Sequence, residues 1–244
     1  MKIRVMTFNI HHGKGMDKQA NLSRIAEVID LCNADIIGLN EVDRHFSKRS
    51  LYEDQASWLA DQLKMDYAFS PSITKQSKSF TNIRQYGNAL LSRLPIITRK
   101  SHKINSLSGI IEGRSLLDAT IQINKRPVQI NVTHLSLNPY FHKKQTDFIL
   151  NHHHMKNSNP IILMGDLNMK QGSSAWRKLS EEFQDVWYKK GKGAGCTYPS
   201  LRPRSRLDYI FASRDFKVVN AEIVSKIPKA SDHLPVTATL SFKS

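Results

Sequence analysis

The stretch Ile162–Met169 reads ILMGDLNM. An apolar run climbs to a glycine, an aspartate, one spacer and an asparagine. Buried strands end in turns, and Gly-Asp and Asn are ordinary turn residues. The plain reading is therefore a strand closed by an Asx-type turn. The segments to either side decide whether its polar residues do more than turn the chain.

Upstream, Arg114–Ile123 and Pro127–Leu135 are separated by NKR and read as a hairpin. Phe141–Met155 suits a helix through Phe148, Ile149 and His152. Downstream, Ser173–Phe183 reads as a helix opened by Ser173, and Leu207–Ala212, Lys217–Val224 and Leu234–Ser241 read as strands. In the N-terminal half, residues 2–9 alternate apolar and polar as a strand does. Asn21–Leu31 places Leu22, Ile25, Ile29 and Cys32 at helical spacing, with Asn21 as N-cap. DIIGLNEV, residues 35–42, is a short apolar run ending at Glu41. A second helix fits Glu53–Lys64, burying Ala56, Leu59 and Leu63. GNALLSR and PIITR read as two strands broken at Pro95. Helices and strands mix throughout, and several successive strands have hairpin-length links. That argues against a doubly wound parallel sheet and favours mixed sheets packed face to face, with helices outside.

The 244 residues contain no Pro/Gly/Ser-rich linker, no low-complexity tract and no repeat, so one domain over residues 1–244 is expected. No apolar run approaches the roughly 18 residues of a membrane span, and stable membrane insertion is not expected. MKIRVMTFNI reads as a first strand and not as a signal peptide. Cys32 and Cys196 are too few and too far apart for a disulfide framework or a zinc site. A cytoplasmic location is the expectation. The 36 Lys and Arg against 21 Asp and Glu give +15, an excess that attracts nucleic acid, anionic lipid or phosphorylated small molecules without choosing among them. No protein partner is indicated.

Polar groups recur where strands end: Asn9 after VMTF, Glu41 after DIIGLN, His134 after INVT, Asp166 and Asn168 after ILMG, Asp208 in RLDYI, and Asp232 with His233 in SDHLP. Strand-end loops are where a rigid sheet presents chemistry. On one rim, these residues suit hydrolysis of a phosphodiester. Such a substrate is anionic and repels hydroxide, so attack needs charge neutralisation, an activated water and help for the leaving oxygen. Carboxylate and amide oxygens are hard ligands that suit Mg2+ or Mn2+ better than zinc. A histidine near neutral pKa moves a proton, and a buried carboxylate fixes its tautomer. Each residue alone has an ordinary reading. Glu41 can be a solvated strand-end charge, SDHLP a turn ahead of Pro235, His134 a hydrogen-bonded core histidine, and RLDYI a strand with an outward aspartate. The conjunction in this order is far less expected by chance than any one member.

Together FNIHHG, DIIGLNEVD, GNALLSR, NVTHL, GDLN, RLDYIF and SDHLPV make the chain resemble the endonuclease/exonuclease/phosphatase superfamily, from about residue 5 to residue 240. That group includes deoxyribonuclease I, exonuclease III, neutral sphingomyelinases and inositol polyphosphate 5-phosphatases. The resemblance implies an α+β four-layer α/β/β/α sandwich, with two mixed, mainly antiparallel sheets between helical layers. It implies a metal site flanked by Asn9 and Glu41, with Glu41 the principal ligand and Asp232 nearby. Asp166 and Asn168 would hold the attacking water and the phosphate, or contribute to a second metal position. His233, oriented by Asp208, would act on the phosphate or the nucleophile. The general base stays open between Asp166 and His233. His134 would bind a phosphate oxygen or assist the leaving group. Arg114 in EGRSLL would contact phosphate, and it reads equally as a surface strand arginine. Asn88 and Tyr209 would lie behind these groups, and Asp43 would support Glu41 or be merely exposed.

The histidine in NVTHL is similar to the deoxyribonuclease I, sphingomyelinase and phosphatase side of the superfamily, where exonuclease III-like enzymes carry an N-x-Y segment. CTYPSLRPRSRLDYIF resembles compact bacterial metal-dependent hydrolases. The leading expectation is a Mg2+- or Mn2+-dependent nuclease. The basic run Lys189, Lys190, Lys192, Arg202, Arg204 and Arg206 would contact the nucleic acid, with Tyr198 stacking a base. The same run also reads as a flexible solvated loop. Phospholipid headgroups remain an alternative, with LSGII at 107–111 as the one apolar hairpin candidate, as do inositol or sugar phosphates. A non-catalytic polyanion-binding module is the alternative of another class. His152–His154 reads as structural or solvated, because consecutive histidines on a helix do not share a face.

Overall fold

In strand β1 (Lys2–Asn9), Ile3 and Val5 face one way and Met6 and Phe8 the other, and both sides are buried. A strand buried on both faces lies inside a stack of layers, not at its surface. The computed structural model, which describes residues 2–76, 83–104, 113–155 and 159–243, builds that stack. The chain continues through α1 (Leu22–Cys32), β2 (Ile36–Arg44), α2 (Gln55–Leu63), β3 (Asp66–Lys75), β4 (Arg84–Ser92), β5 (Ile96–Ile104), β6 (Arg114–Ile123) and β7 (Arg126–Thr133). It ends with α3 (Pro139–His154), β8 (Ile161–Asp166), α4 (Ser174–Glu182), β9 (Gln184–Asp185), α5 (Val186–Lys190), β10 (Asp208–Ala212), β11 (Phe216–Ile223) and β12 (Val236–Phe242).

Two six-stranded sheets result, ordered β11-β12-β1-β2-β4-β3 and β5-β6-β7-β8-β10-β9. The β1/β2 and β7/β8 pairs are parallel and the rest antiparallel. One apolar core joins the inner faces, Val5, Ile36 and Leu90 meeting Val132, Ile162 and Met164. A second seals α1 and α2 onto the first sheet through Ile25, Ile29 and Leu59, and a third seals α3 and α4 onto the second through Ile149, Leu179 and Leu163. The layers are thus α/β/β/α. Helix starts follow local chemistry: the side chains of Asn21, Asp54, Asn138 and Ser173 accept hydrogen bonds from first-turn N–H groups that have no partner within their own helices.

Besides β9 and α5, which go unread, three strands depart from the sequence reading. β3 goes unread because Pro71 interrupts it; as an edge strand, β3 tolerates the proline at a bulge between Pro71 and Ile73. β5 runs to Ile104, past PIITR, because most of this edge strand is exposed and carries no apolar signal. Strand β2 does not end at Glu41. It carries a bulge, in which Asn40 and Glu41 together oppose the single residue Asn88, and continues to Arg44. The apolar stretch 107–111 lies outside the described residues. Among those residues no helix is long and apolar enough to cross a membrane.

The bulge reverses the alternation of β2. Leu39 and Val42 both pack toward the helices. Between them Asn40 and Glu41 both turn toward the other sheet, Glu41 with φ at +59°. The Asn40 amide then spans the sheets. Its Nδ2 donates to Asn88 Oδ1 at 2.8 Å and to the Thr133 carbonyl at 3.0 Å, while its Oδ1 accepts the Asp166 N–H at 2.8 Å. Asn88 Nδ2 in turn donates to the Ser115 carbonyl at 3.0 Å. Replacing Asn40 with leucine leaves several buried groups without partners, each costing about 1–3 kcal/mol. Asn40→Leu is expected to lower the free energy of unfolding by about 3 kcal/mol or more, read from the urea midpoint. A midpoint equal to that of the wild type would remove the brace from the account.

Candidate active site

Strand ends from both sheets meet on one rim. Asn9 closes β1, His134 follows β7 and Asp166 closes β8. β10 and β12 run antiparallel to β8 and β1, so Asp208 pairs with Asp166, and Asp232 and His233 arrive beside β1 just before β12 begins. Glu41 enters from the bulge. The glycine of GDLN is required by packing: at Gly165, with φ at +148°, an added Cβ would lie 1.8 Å from the Thr133 carbonyl oxygen. Asn168 also takes positive φ, at +46°, and the loop from Asp166 to Met169 is held from several sides. His142 meets the Leu167 carbonyl at 2.8 Å, the Tyr209 hydroxyl donates to the Met169 carbonyl at 3.0 Å, and the Leu135 N–H donates to the Asp166 carbonyl at 3.0 Å.

Asn9 Nδ2 donates to Glu41 Oε1 and to Asp166 Oδ2, both at 3.1 Å, while its Oδ1 accepts the His11 N–H. It presents its nitrogen to the carboxylates and so ties Glu41, the carboxylate that the family resemblance places at a metal, to Asp166. Asp166 Oδ2 lies 3.4 Å from His134 Nε2 and 3.7 Å from His233 Nε2, and its Oδ1 accepts the Asn168 N–H. Asn168 Nδ2 donates to the Leu135 carbonyl at 3.0 Å and lies 3.1 Å from His134 Nε2. The carbonyl can only accept, which fixes the amide's orientation. On the far side of His233, Nδ1 meets Asp208 Oδ2 at 2.8 Å, and Thr197 donates to the same oxygen at 2.6 Å.

Burial dominates the titration of the acids. It raises the Asp166 carboxyl to about 7, with the Asp208 charge adding to the effect, and it raises Glu41, with Asp232 adding. His134 is pushed well below its ordinary value by burial, then by Arg114 and His233, and stays neutral. Burial would also lower His233, but Asp208, by charge and hydrogen bond, and then Asp166 outweigh it and hold the ring protonated above its ordinary value. Arg114 is buried at the start of β6 near His134. Asp43 is fully buried and takes Arg49 in two hydrogen bonds, at 2.7 and 2.9 Å. Asn88 connects to the rim through Asn40.

Several contributors carry no role in the sequence reading. Asn40 and Thr197 lie within quoted motifs but have no chemistry of their own to flag them. Ser231 anchors the SDHLP turn by donating to the Asn9 carbonyl at 2.7 Å. His11 stands 3.6 Å from Asp232, and His12, held neutral at about 3 mainly by burial, stands 4.0 Å from Glu41. Arg206, expected at the nucleic-acid surface, is buried against Asp185 and Gln171 instead.

The sequence model for the endonuclease/exonuclease/phosphatase family matches residues 6–233. This chain belongs to that family. Family structures share its fold. One from Beutenbergia cavernae DSM 12333 is 25% identical over 100% of this chain and 72% of its own, with a TM-score of 0.84. Another, from Bacteroides vulgatus, is 18% identical over all of both chains at 0.81. A mannosyl-6-phosphatase from Bacteroides thetaiotaomicron VPI-5482 is 17% identical over 98% and 100% of the two chains at 0.79. Among curated proteins none matches the sequence. In this member the donors near Glu41 fit a divalent cation. The carboxylates of Glu41 and Asp232 are close enough for one charge to raise the other's pKa, and carboxylate oxygens are the hard donors that such an ion takes.

Removing the Asp208 charge leaves burial of His233 opposed by the charges of Asp166 and Asp232. With Asp166 and Asp232 still raising it, the Asp208→Asn ring is expected to titrate well below the wild-type value of about 10, which keeps the wild-type ring protonated through neutral pH. Imidazole NMR across a pH series reads both. An unchanged His233 titration in the variant would contradict the assigned electrostatics.

Proposed function

We propose that this family member is a Mg2+- or Mn2+-dependent phosphodiesterase that cleaves nucleic acid. The observation that carries the reading is a buried acid–imidazole cluster bordered by an exposed cationic and aromatic loop. Tyr198 lies with its ring centroid 4.9 Å from that of His233, and the turn that follows exposes Arg202 and Arg204. A base can stack on Tyr198 while the arginines take flanking phosphates. Beside Asn168 a cleft of about 530 Å³ opens between α3 and α4, with Lys143 and Lys170 on its walls and Lys178 paired to Asp147 at 2.6 Å. It offers an anionic chain a continuation of the path.

Glu41 and Asp232 would hold the ion, with Asn9 fixing the Glu41 carboxylate. The ion supplies a Lewis acid for the phosphoryl group. Asp166, lifted to about 7, is matched to taking a proton from water near neutral pH, and Asn168 orients its carboxylate through the backbone N–H. His233 already carries its proton, so it serves as a cation toward a phosphate oxygen and not as the base. We therefore take Asp166 as the base. Neutral His134 and cationic Arg114 would sit against the phosphate and the departing oxygen.

Purified protein with Mg2+ or Mn2+ is expected to hydrolyse a bis-aryl phosphodiester, and EDTA to stop it. Asp166→Asn and His233→Ala should each lower kcat by about 10²–10⁴. A rate equal to wild type in either variant refutes that role. Replacing Arg202 and Arg204 together with alanine should weaken cleavage of DNA or RNA and reduce its salt slope by roughly 2, at about 0.9 per phosphate contact, leaving the aryl ester untouched. Faster, salt-insensitive hydrolysis of inositol or sugar phosphates would keep the hydrolase and remove the nucleic acid. Salt-sensitive binding without hydrolysis would favour a binding module.

A further inference from the structure

Away from the rim, His102 on β5, Asp118 on β6 and His152 in the last turn of α3 converge on the helix-covered face of the second sheet. Asp118 lies four residues along β6 from Arg114, on the order of 13 Å at about 3.3 Å per residue. It is therefore distinct from the acid cluster. Asp118 and His152 are buried, and the His102 side chain, 30% exposed, brings the cluster to solvent.

The distances are compatible with a hydrogen bond between His152 Nε2 and Asp118 Oδ2 and with a shared cation. Asp118 Oδ2 lies 3.2 Å from His152 Nε2 and 3.5 Å from His102 Nε2, and one ligand atom from each residue falls within 4.8 Å of the others. A charge-assisted N–H···O bond runs about 2.7–2.9 Å. Two ligands of a tetrahedral zinc ion, each about 2.0–2.1 Å from the metal, stand about 3.3 Å apart. The separations of 3.2 and 3.5 Å bracket the second figure, and the shorter one also falls within the ordinary N–H···O range of about 2.7–3.2 Å. The Asp208–His233 separation of 2.8 Å on the rim matches the first.

The surroundings add what a zinc ligand needs. The other carboxylate oxygen, Asp118 Oδ1, accepts Gln129 Nε2 at 2.7 Å and Asn131 Nδ2 at 3.3 Å, which orients Oδ2 toward both imidazoles. The His102 and His152 rings lie 4.6 Å apart by centroid, and Phe148 stacks on His152 at 6.1 Å. Two imidazoles and one carboxylate are a borderline-soft set, suited to zinc and not to magnesium.

We propose that His102, Asp118 and His152 form a Zn2+ site that clamps the end of α3 to the edge of the second sheet. Water takes the fourth position on the His102 side. The ion serves the fold and not the hydrolysis, because no residue of the cluster reaches the rim.

Cobalt reports the geometry directly. Untagged, EDTA-stripped and desalted protein titrated with Co2+ should develop the intense visible absorption of four-coordinate cobalt, saturating with the cluster's single ion. Zn2+ should abolish the band and excess Mg2+ should not. His102→Ala, at the exposed edge where folding is least at stake, should remove the band and the rise in Tm that Zn2+ gives the wild type, while keeping Mg2+-dependent hydrolysis. His152→Gln should also remove the band. Gln129→Leu should weaken Zn2+ binding by about 10–100-fold. Glu41→Gln should retain the band, which separates this site from the rim whatever the rim proves to do. A band that survives His102→Ala, one lost in Glu41→Gln, or none in the wild type would overturn the proposal.

Discussion

The arrangement depends on one buried amide. Asn40 sits where two sheets must be held in fixed register across an otherwise apolar interface, and dispersion alone sets no direction there. Its three hydrogen bonds do, because each has a preferred angle and a desolvation cost if missed. The Asp166 backbone is bonded directly to the residue beside Glu41. Two acids 125 positions apart in the chain thereby become neighbours of fixed spacing, and Asn9 bridges their carboxylates.

A fold that gathers Glu41, Asp166, Asp208 and Asp232 accepts a local cost that the overall charge of +15 only partly offsets. The contacts divide the burden unequally. Asp208 is matched to a cationic imidazole and a hydroxyl, whereas burial raises Asp166 and Glu41 above their ordinary values. A carboxyl lifted by burial toward neutral pH is what acid–base chemistry requires.

Much of this was legible in the sequence, for identifiable reasons. Apolar runs ending in Asp, Asn, Glu or His placed polar groups at strand ends, and the motifs from FNIHHG to SDHLPV carried the family and its layers. What escaped was long-range. Periodicity has no term for one surplus residue, so the β2 bulge read as a strand end. The charge of Arg206 was visible, but its partner Asp185 was not, since nothing local joins them. Consecutive histidines do point apart, as the helix rule requires: His154 meets Glu182, His153 packs on Phe183, and His152 turns inward to Asp118. The rule gave directions and could not say what waited along each one. β3 was hidden by a proline that only an edge strand at a bulge accommodates.

The surplus residue in β2 also sets sheet regularity against reactivity. Deleting one position between Leu39 and Val42 would restore unbroken pairing with β4 and relax the backbone that now holds Glu41 at positive φ. The shortened strand would be the better β-strand. It would also lose either the carboxylate or the amide from the cleft, so drift toward a smoother ladder erases the reactive centre in a single step.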